Sequence, residues 1–209
     1  MAVIIAPTKS NLIRATATLS LSYQGFELLD QKRNILIREM MKLVERAKTI
    51  QVEVYSSLQR AYDELQSVNI VSGISNVENI ATGMPEAPEF EILLKSVMGT
   101  EIPTIKYDTK AIEPYYGFHN TDTALDKATI HFREVGEMIY ELAQIDYSVF
   151  KLAKEIRKTQ KRTHALEHIQ IPKYKGQVKY IQEALEEKER EDFFRLKRVK
   201  NRQKIVKRS

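Results

Sequence analysis

Residues 7–71 read PTKSNLIRATATLSLSYQGFELLDQKRNILIREMMKLVERAKTIQVEVYSSLQRAYDELQSVNIV, with no proline after Pro7 and a single glycine, Gly25. Apolar or small residues recur at Leu12, Ala15, Leu19, Ser22, Phe26, Leu29, Leu36, Met40, Leu43, Ala47, Ile50, Val54, Leu58, Ala61, Leu65 and Val68. The steps alternate between three and four, the heptad pattern of a helix that buries one narrow seam against another helix. Arg33 is the polar interruption in mid-run. Two four-residue steps in succession, Ile50 to Val54 to Leu58, form a stutter that locally relaxes the supercoil. As one helix the stretch would be roughly 90 Å long at about 1.5 Å per residue. A single-domain core cannot cover a helix of that length, so the sequence predicts an equally long partner.

The partner lies in the same chain. From Thr121–Thr123 a second seam runs through Leu125, Ala128, Phe132, Val135, Met138, Leu142, Ile145, Val149, Leu152, Ile156, Thr159, Thr163 and Leu166, with no proline before Pro172. Beyond Ile171-Pro172 the helix is expected to resume by about Gly176, with Val178, Ile181, Leu185 and Asp192 or Phe193 on one side. Pro172 should kink or break the rod without ending it. Thr8 or Ser10 can cap the first helix, and Asn120, Thr121 or Asp122 the second.

Between the arms the character changes. The first helix is expected to end near Asn69, before Gly73. Gly73, Gly83, Gly99, Gly117, Pro85, Pro88, Pro103 and Pro114 all follow within this middle stretch, where a long helix cannot continue. Ser75–Ala81 reads equally as a short helix or a loop. Phe90–Val97 and Glu101–Tyr107 flank Met98-Gly99-Thr100 and read as a β-hairpin with an imperfect alternation, since Leu93 and Leu94 are adjacent. The expected fold is therefore all-α dominated, a long antiparallel two-helix coiled coil with a small central region containing a β-hairpin. Its parts are an N-terminal helix over 1–71, a turn-rich centre over 72–120 with the hairpin near 90–107, and a C-terminal helix over 121–209 kinked near Pro172. Both termini fall at one end, and the centre caps the other.

Composition agrees with long exposed helices. Of the 209 residues 29% are charged and only 8% aromatic, with no tryptophan, the make-up of a thin apolar seam rather than a compact enzyme core. The formal net charge of +5 permits an acidic partner without demanding one. The absence of cysteine rules out disulfide and thiolate chemistry. Met1–Ala6 is too short for the apolar core of a signal peptide. No run approaches the apolar length of a membrane span, so membrane association is expected to go through partners. No glycine opens a G-x-x-x-x-G-K-[ST] phosphate loop. No nucleophile stands beside a base, and no cofactor is expected.

Specific residues resemble a known family. The opening Pro7-Thr8-Lys9, Leu12, Leu19, Gly25, Leu28-Leu29, Lys32-Arg33-Asn34 and Leu36 is similar to the start of the D subunit of the V-type and archaeal-type rotary ATPases. The run Lys158-Thr159-Gln160-Lys161-Arg162-Thr163-His164-Ala165-Leu166-Glu167, followed by Ile171-Pro172, resembles that family's second signature. So does the ending with Leu185-Glu186-Glu187, Glu189-Arg190-Glu191 and Arg195-Leu196-Lys197. Asn34 and His164 depart from the family pattern, as does the Ala/Thr/Ser-rich run Ala15–Ser22. The resemblance implies a non-catalytic rotor shaft. It implies that the paired termini enter a ring of catalytic and non-catalytic ATPase subunits. It also implies a small central-stalk partner, a funnel-shaped subunit linking the shaft to the membrane rotor, and a cytoplasmic, membrane-peripheral location.

Three local signals stand beside that reading. Phe193–Ser209 lacks acidic residues and carries Arg195, Lys197, Arg198, Lys200, Arg202, Lys204, Lys207 and Arg208. Contact with an acidic protein surface, nucleic-acid binding and a solvated terminus are all open from charge alone. The resemblance favours the protein contact, and nucleic acid is not expected, because the acidic block Glu186–Asp192 interrupts any continuous phosphate-binding face. A coiled-coil scaffold or nucleic-acid-binding protein using this basic end is the alternative function. His164-Ala-Leu-Glu167-His168 fits an inverted zinc-peptidase motif. It is read instead as exposed residues of a packed arm, because Leu166 lies on the seam, Lys161 and Arg162 oppose a cation and no third ligand is evident. No metal is therefore expected. Finally, Gly25 suggests close approach of the second arm, and Arg33 suggests either a glutamate across the seam or solvent.

Overall fold

The computed structural model describes residues 6–84, 90–107, 116–117 and 121–206, the span 202–206 by its backbone alone. Pro85, Pro88, Pro114 and the alternative cap Asn120 lie outside the described residues. The chain forms two compact units. The first comprises Met1–Arg33 with Arg157–Ser209, and the second Asn34–Ile156. The elements are α1 (Lys9–Ser72), α2 (Ile74–Gly83), β1 (Phe90–Val97), β2 (Thr100–Tyr107), α3 (Thr123–Ala165), a π turn (Leu166–Gln170) and α4 (Ile171–Val206). The fold is thus dominated by long helices with one small antiparallel hairpin.

Local chemistry sets the helix ends. The Thr8 hydroxyl accepts the Asn11 amide at 3.2 Å, which makes Thr8 the cap of α1. At α3, Asp122 Oδ1 accepts the Thr123 amide at 2.7 Å. The first helix does not stop at Asn69; it runs on to Ser72 and gives way at Gly73, whose φ of 80° suits only a residue without a Cβ. Ser75–Ala81, which reads equally as helix or loop in sequence, lies within the helix α2.

In the second unit, α1 and α3 run antiparallel. Ala47 and Ile50 are buried with Ile145, flanked by Leu43, Val54, Leu142 and Val149. Tyr62 meets Phe132 edge to face, with ring centroids 5.6 Å apart. Val68 is buried with Leu125 and Ala128, so residue numbers rise on α1 as they fall on α3. Leu36 and Leu152 are wholly buried, and Met40 and Ile156 half-buried. The inward-facing row Leu36, Leu43, Ile50, half-buried at Leu43, hands over to Ala47, Val54, Ala61, Val68, half-buried at Val54, a displacement by four where the stutter falls. Val77, Ile80, Tyr116 and Ala124 close over the Val68 cluster and form the junction of α1, α2 and α3.

The hairpin does not sit over that junction. Its open end lies against α3, where Phe90 and Tyr107 pack on Tyr140 at 5.7 and 5.4 Å between ring centroids. The Ile105 amide also donates to Gln144 Oε1 at 2.8 Å. Tyr140 is roughly 20 Å along α3 from Leu125 at about 1.5 Å per residue. The capping role expected of the whole centre therefore belongs to α2 and its neighbours. Thr100 joins β2 and pairs with Val97, leaving Met98-Gly99 as a two-residue turn. Both turn residues have positive φ, 50° and 77°, as the twist of a tight hairpin requires. Pro103 shares the parity of Ile105, whose amide points away from β1. The missing proline N–H therefore costs no ladder bond. β1 is exposed along nearly all its length, which explains why the adjacent Leu93 and Leu94 break alternation.

The first unit has a different seam. Its buried residues are Ala15, Ser22, Thr159, Thr163, Ile171 and Ile181, with Leu29 half-buried. The Ser22 hydroxyl donates to the Thr18 carbonyl at 2.8 Å and the Thr163 hydroxyl to that of Thr159 at 3.0 Å, so both are satisfied within their own helices. A Cβ on Gly25 would meet Leu166 Cδ1 at 3.8 Å, an ordinary contact. The second arm does pass over Gly25, but not so closely as to exclude a methyl group. Arg33 bonds to Asp30 one turn back, at 2.5 Å, rather than to a glutamate across the seam.

Pro172 neither breaks nor ends the helix. The Ile171 amide donates to the Leu166 carbonyl five residues back, closing a π turn immediately before the proline. In α geometry the ring of Pro172 would press on the carbonyl of His168. The wider turn relieves that clash, and α4 is helical from Ile171, within the bound that the sequence set at about Gly176.

Candidate partner-binding surfaces

The first surface is the far part of α4. Lys9 Nζ meets Glu189 Oε1 at 3.1 Å, which fixes where the start of α1 lies on α4. Residues 190–201 of α4 are all exposed, because no described residue of the first unit remains on α1 to cover them. Phe193 is 65% exposed and so is not a seam residue. Phe194, Leu196 and Val199 are exposed as well. These apolar side chains stand bared among cations.

Arg195 lies near Glu191 and Asp192 at 3.6 and 3.8 Å, exposed pairs within one helix that restrain its guanidinium only weakly. Lys197, Arg198 and Lys200 have no salt-bridge partner among the described residues. At about 100° per residue these cations point in widely different directions around the axis. Arg202 and Lys204 lie within α4 by their backbone, and Lys207 and Arg208 lie outside the described residues.

The second surface belongs to the hairpin. Phe90, Ile92, Leu93 and Leu94 are all exposed on β1, while β2 turns Thr100 and Pro103 inward. Beneath it, Arg46 forms an ion pair with Glu141 at 2.5 Å. The hydrogen bonds that the guanidinium donates to this carboxylate, then the carboxylate's charge, hold it in its protonated form. Burial, reinforced by Glu137 and Glu141, pushes the Tyr107 hydroxyl above its ordinary pKa. Burial and then a hydrogen bond to Asp126 do the same for Tyr116 near the α1–α2–α3 junction.

A third group lies on the π turn, where ligand-capable atoms of His164, Glu167 and His168 come within 4.8 Å of one another. The sequence signal that was missed is the run Phe193-Phe194, Leu196 and Val199. Leu185 is the last half-buried residue of α4, and the apolar side chains described beyond it are all exposed.

Comparison with known proteins follows these features. Residues 11–201 match the family of the ATP synthase D subunit. Over 198 residues the chain is 43% identical to the V-type ATP synthase D subunit of Thermotoga neapolitana, covering 95% of this chain and 98% of that protein. It is 35% identical over 199 residues to the A-type ATP synthase D subunit of Pyrococcus horikoshii, covering 94% and 93%. The similarly named protein of Methanopyrus kandleri is 35% identical over 199 residues, covering 94% and 86%. Among the described residues no helix is long and apolar enough to cross a membrane.

Proposed function

Because the chain belongs to the family of ATP synthase D subunits, we propose that it is the central rotor shaft of a V/A-type ATP synthase or ATPase. It couples ATP synthesis or hydrolysis in the catalytic ring to proton or sodium-ion transport by the membrane rotor. The shaft holds no nucleotide and performs no bond chemistry. A pair of helices has no threefold symmetry, so its orientation forces three equivalent nucleotide sites into different states. The observation that supports this reading best is the far part of α4, where exposed aromatic and aliphatic side chains alternate with cations on every side. A tip that turns inside a ring meets each ring subunit in sequence, and needs partner-facing groups all round rather than on one face.

The proposed partners are the catalytic and non-catalytic ring subunits at the α4 tip, a small central-stalk subunit, and a funnel-shaped subunit linking the shaft to the membrane rotor. The complex places the chain peripherally at the cytoplasmic face of the membrane. Reconstitution with ring subunits tests the reading, with gel filtration and ATPase rate followed in parallel. Neutralising Arg195, Lys197, Arg198 and Lys200 together should weaken assembly and flatten its salt sensitivity, since fewer charge contacts remain to be screened, and ATPase activity should fall through lost assembly. Removing Phe90–Tyr107 should leave insertion into the ring intact and impair coupling. If removing the hairpin abolishes insertion while the tip variant assembles normally, the orientation proposed for the shaft is wrong.

A further inference from the structure

We propose that His164, Glu167 and His168 form a binding site for one divalent transition-metal ion of the zinc class, set on the π turn. The three side chains are exposed, and their ligand atoms lie within 4.8 Å of one another. The imidazole rings face each other with centroids 5.5 Å apart and planes inclined by 17°. Glu167 Oε2 stands 3.6 Å from His168 Nε2, which supplies the third ligand that the sequence did not reveal. Neither ring nitrogen of His164 has a hydrogen-bond partner among the described residues, so binding breaks no bond there. Two ligand atoms on a tetrahedral zinc ion are roughly 3.4 Å apart, given bonds of about 2.1 Å. As they stand the two rings are nearly parallel, so binding requires the exposed side chains to rotate until a nitrogen of each faces the ion.

The donor set selects the ion. Two neutral imidazoles and one carboxylate suit zinc, nickel and copper, whereas magnesium and calcium prefer oxygen alone. Lys161 and Arg162 oppose a cation, but both are exposed and screened by solvent. The Glu167 carboxylate offsets part of their charge. The consequence is mechanical. The ion would tie His164, in the last turn of α3, to Glu167 and His168 within the π turn that accommodates Pro172. It would clamp the place where the α-helical ladder is interrupted between α3 and α4.

The test is calorimetric titration of zinc into the untagged full chain. One ion should bind with a dissociation constant on the order of 10 µM, far weaker than closed four-ligand structural sites. His164→Ala and His168→Ala should each weaken binding at least about tenfold, and Glu167→Gln about threefold. His131→Ala should change nothing, and magnesium should not compete. As a second reading, substoichiometric copper should broaden the imidazole NMR signals of His164 and His168 and spare those of His119 and His131. Undiminished zinc binding in the His164→Ala/His168→Ala double variant would overturn the assignment. So would the absence of binding up to about 1 mM zinc, or broadening of the other two histidines instead.

Discussion

Ile50→Ala tests the phase of the seam directly. Ile50 is 4% exposed and lies between Ala47 and Ile145. Truncation to a methyl group removes hydrocarbon worth about 2.4 kcal/mol, at about 0.8 kcal/mol per buried CH2. The surrounding Leu43, Val54, Leu142 and Val149 are only partly buried. They can close over the gap, so the cavity adds little, and the expected loss is about 2–3 kcal/mol, near the lower end for core truncations. The control is Val52→Ala, two residues away and 70% exposed, expected to change stability by less than about 0.5 kcal/mol. Urea unfolding of the full chain, followed by far-ultraviolet circular dichroism, reads both. With a slope of about 1–3 kcal/mol per molar, the Ile50→Ala midpoint should fall by about 1 M or more. Equal losses in the two variants would refute the assignment of Ile50 to the buried row, and with it the handover at the stutter.

Gly25→Ala should stabilise the first unit by up to about 1 kcal/mol, since a methyl group there meets only an ordinary contact with Leu166; thermal unfolding checks the sign. Met98→Asn should strengthen the hairpin by about 0.5–1 kcal/mol, because asparagine tolerates the φ of 50° better than methionine; protection of the Ile105 amide from exchange should rise. The raised pKa of Tyr116 means the folded state holds the phenol proton more tightly than the unfolded chain. That contribution is complete below about pH 10 and is lost as pH rises through the folded value. Between pH 9 and 11 the wild-type melting temperature should therefore fall more steeply than that of Tyr116→Phe.

Much of the fold was legible because a heptad seam repeats one physical requirement over many turns. Leu36, Ile50, Ile145 and Leu152 stand at seam spacing and are buried. What escaped reading depends on single events. Ile70 and Val71 break the seam and suggest a helix end, yet they are exposed and the helix runs on until Gly73. The π turn inserts one residue into the phase between Leu166 and Ile171; Pro172 announces a disturbance there but not the form it takes. The position of the hairpin rests on Tyr140 and Gln144, whose contacts lie far from it in sequence. At the α4 tip the cations were legible as charge. The bared Phe193 was not, because its exposure depends on where α1 begins.

The seam of the first unit is lean in hydrocarbon. Its buried residues are Ala15, Ser22, Thr159 and Thr163 with Ile171 and Ile181, whereas the second unit buries Leu36, Ile50, Val68, Leu125, Val135, Ile145 and Leu152 beside Ala47, Ala61, Ala128, Thr100 and Ser148. Opening a seam of small and hydroxyl-bearing side chains exposes little apolar surface, so it changes heat capacity little and responds weakly to denaturant. The stability curve of the first unit is accordingly flat in temperature. That of the second is more strongly domed and loses more on cooling, as the drive to bury hydrocarbon fades. Within one chain, the part that carries the termini is the less sensitive to cold.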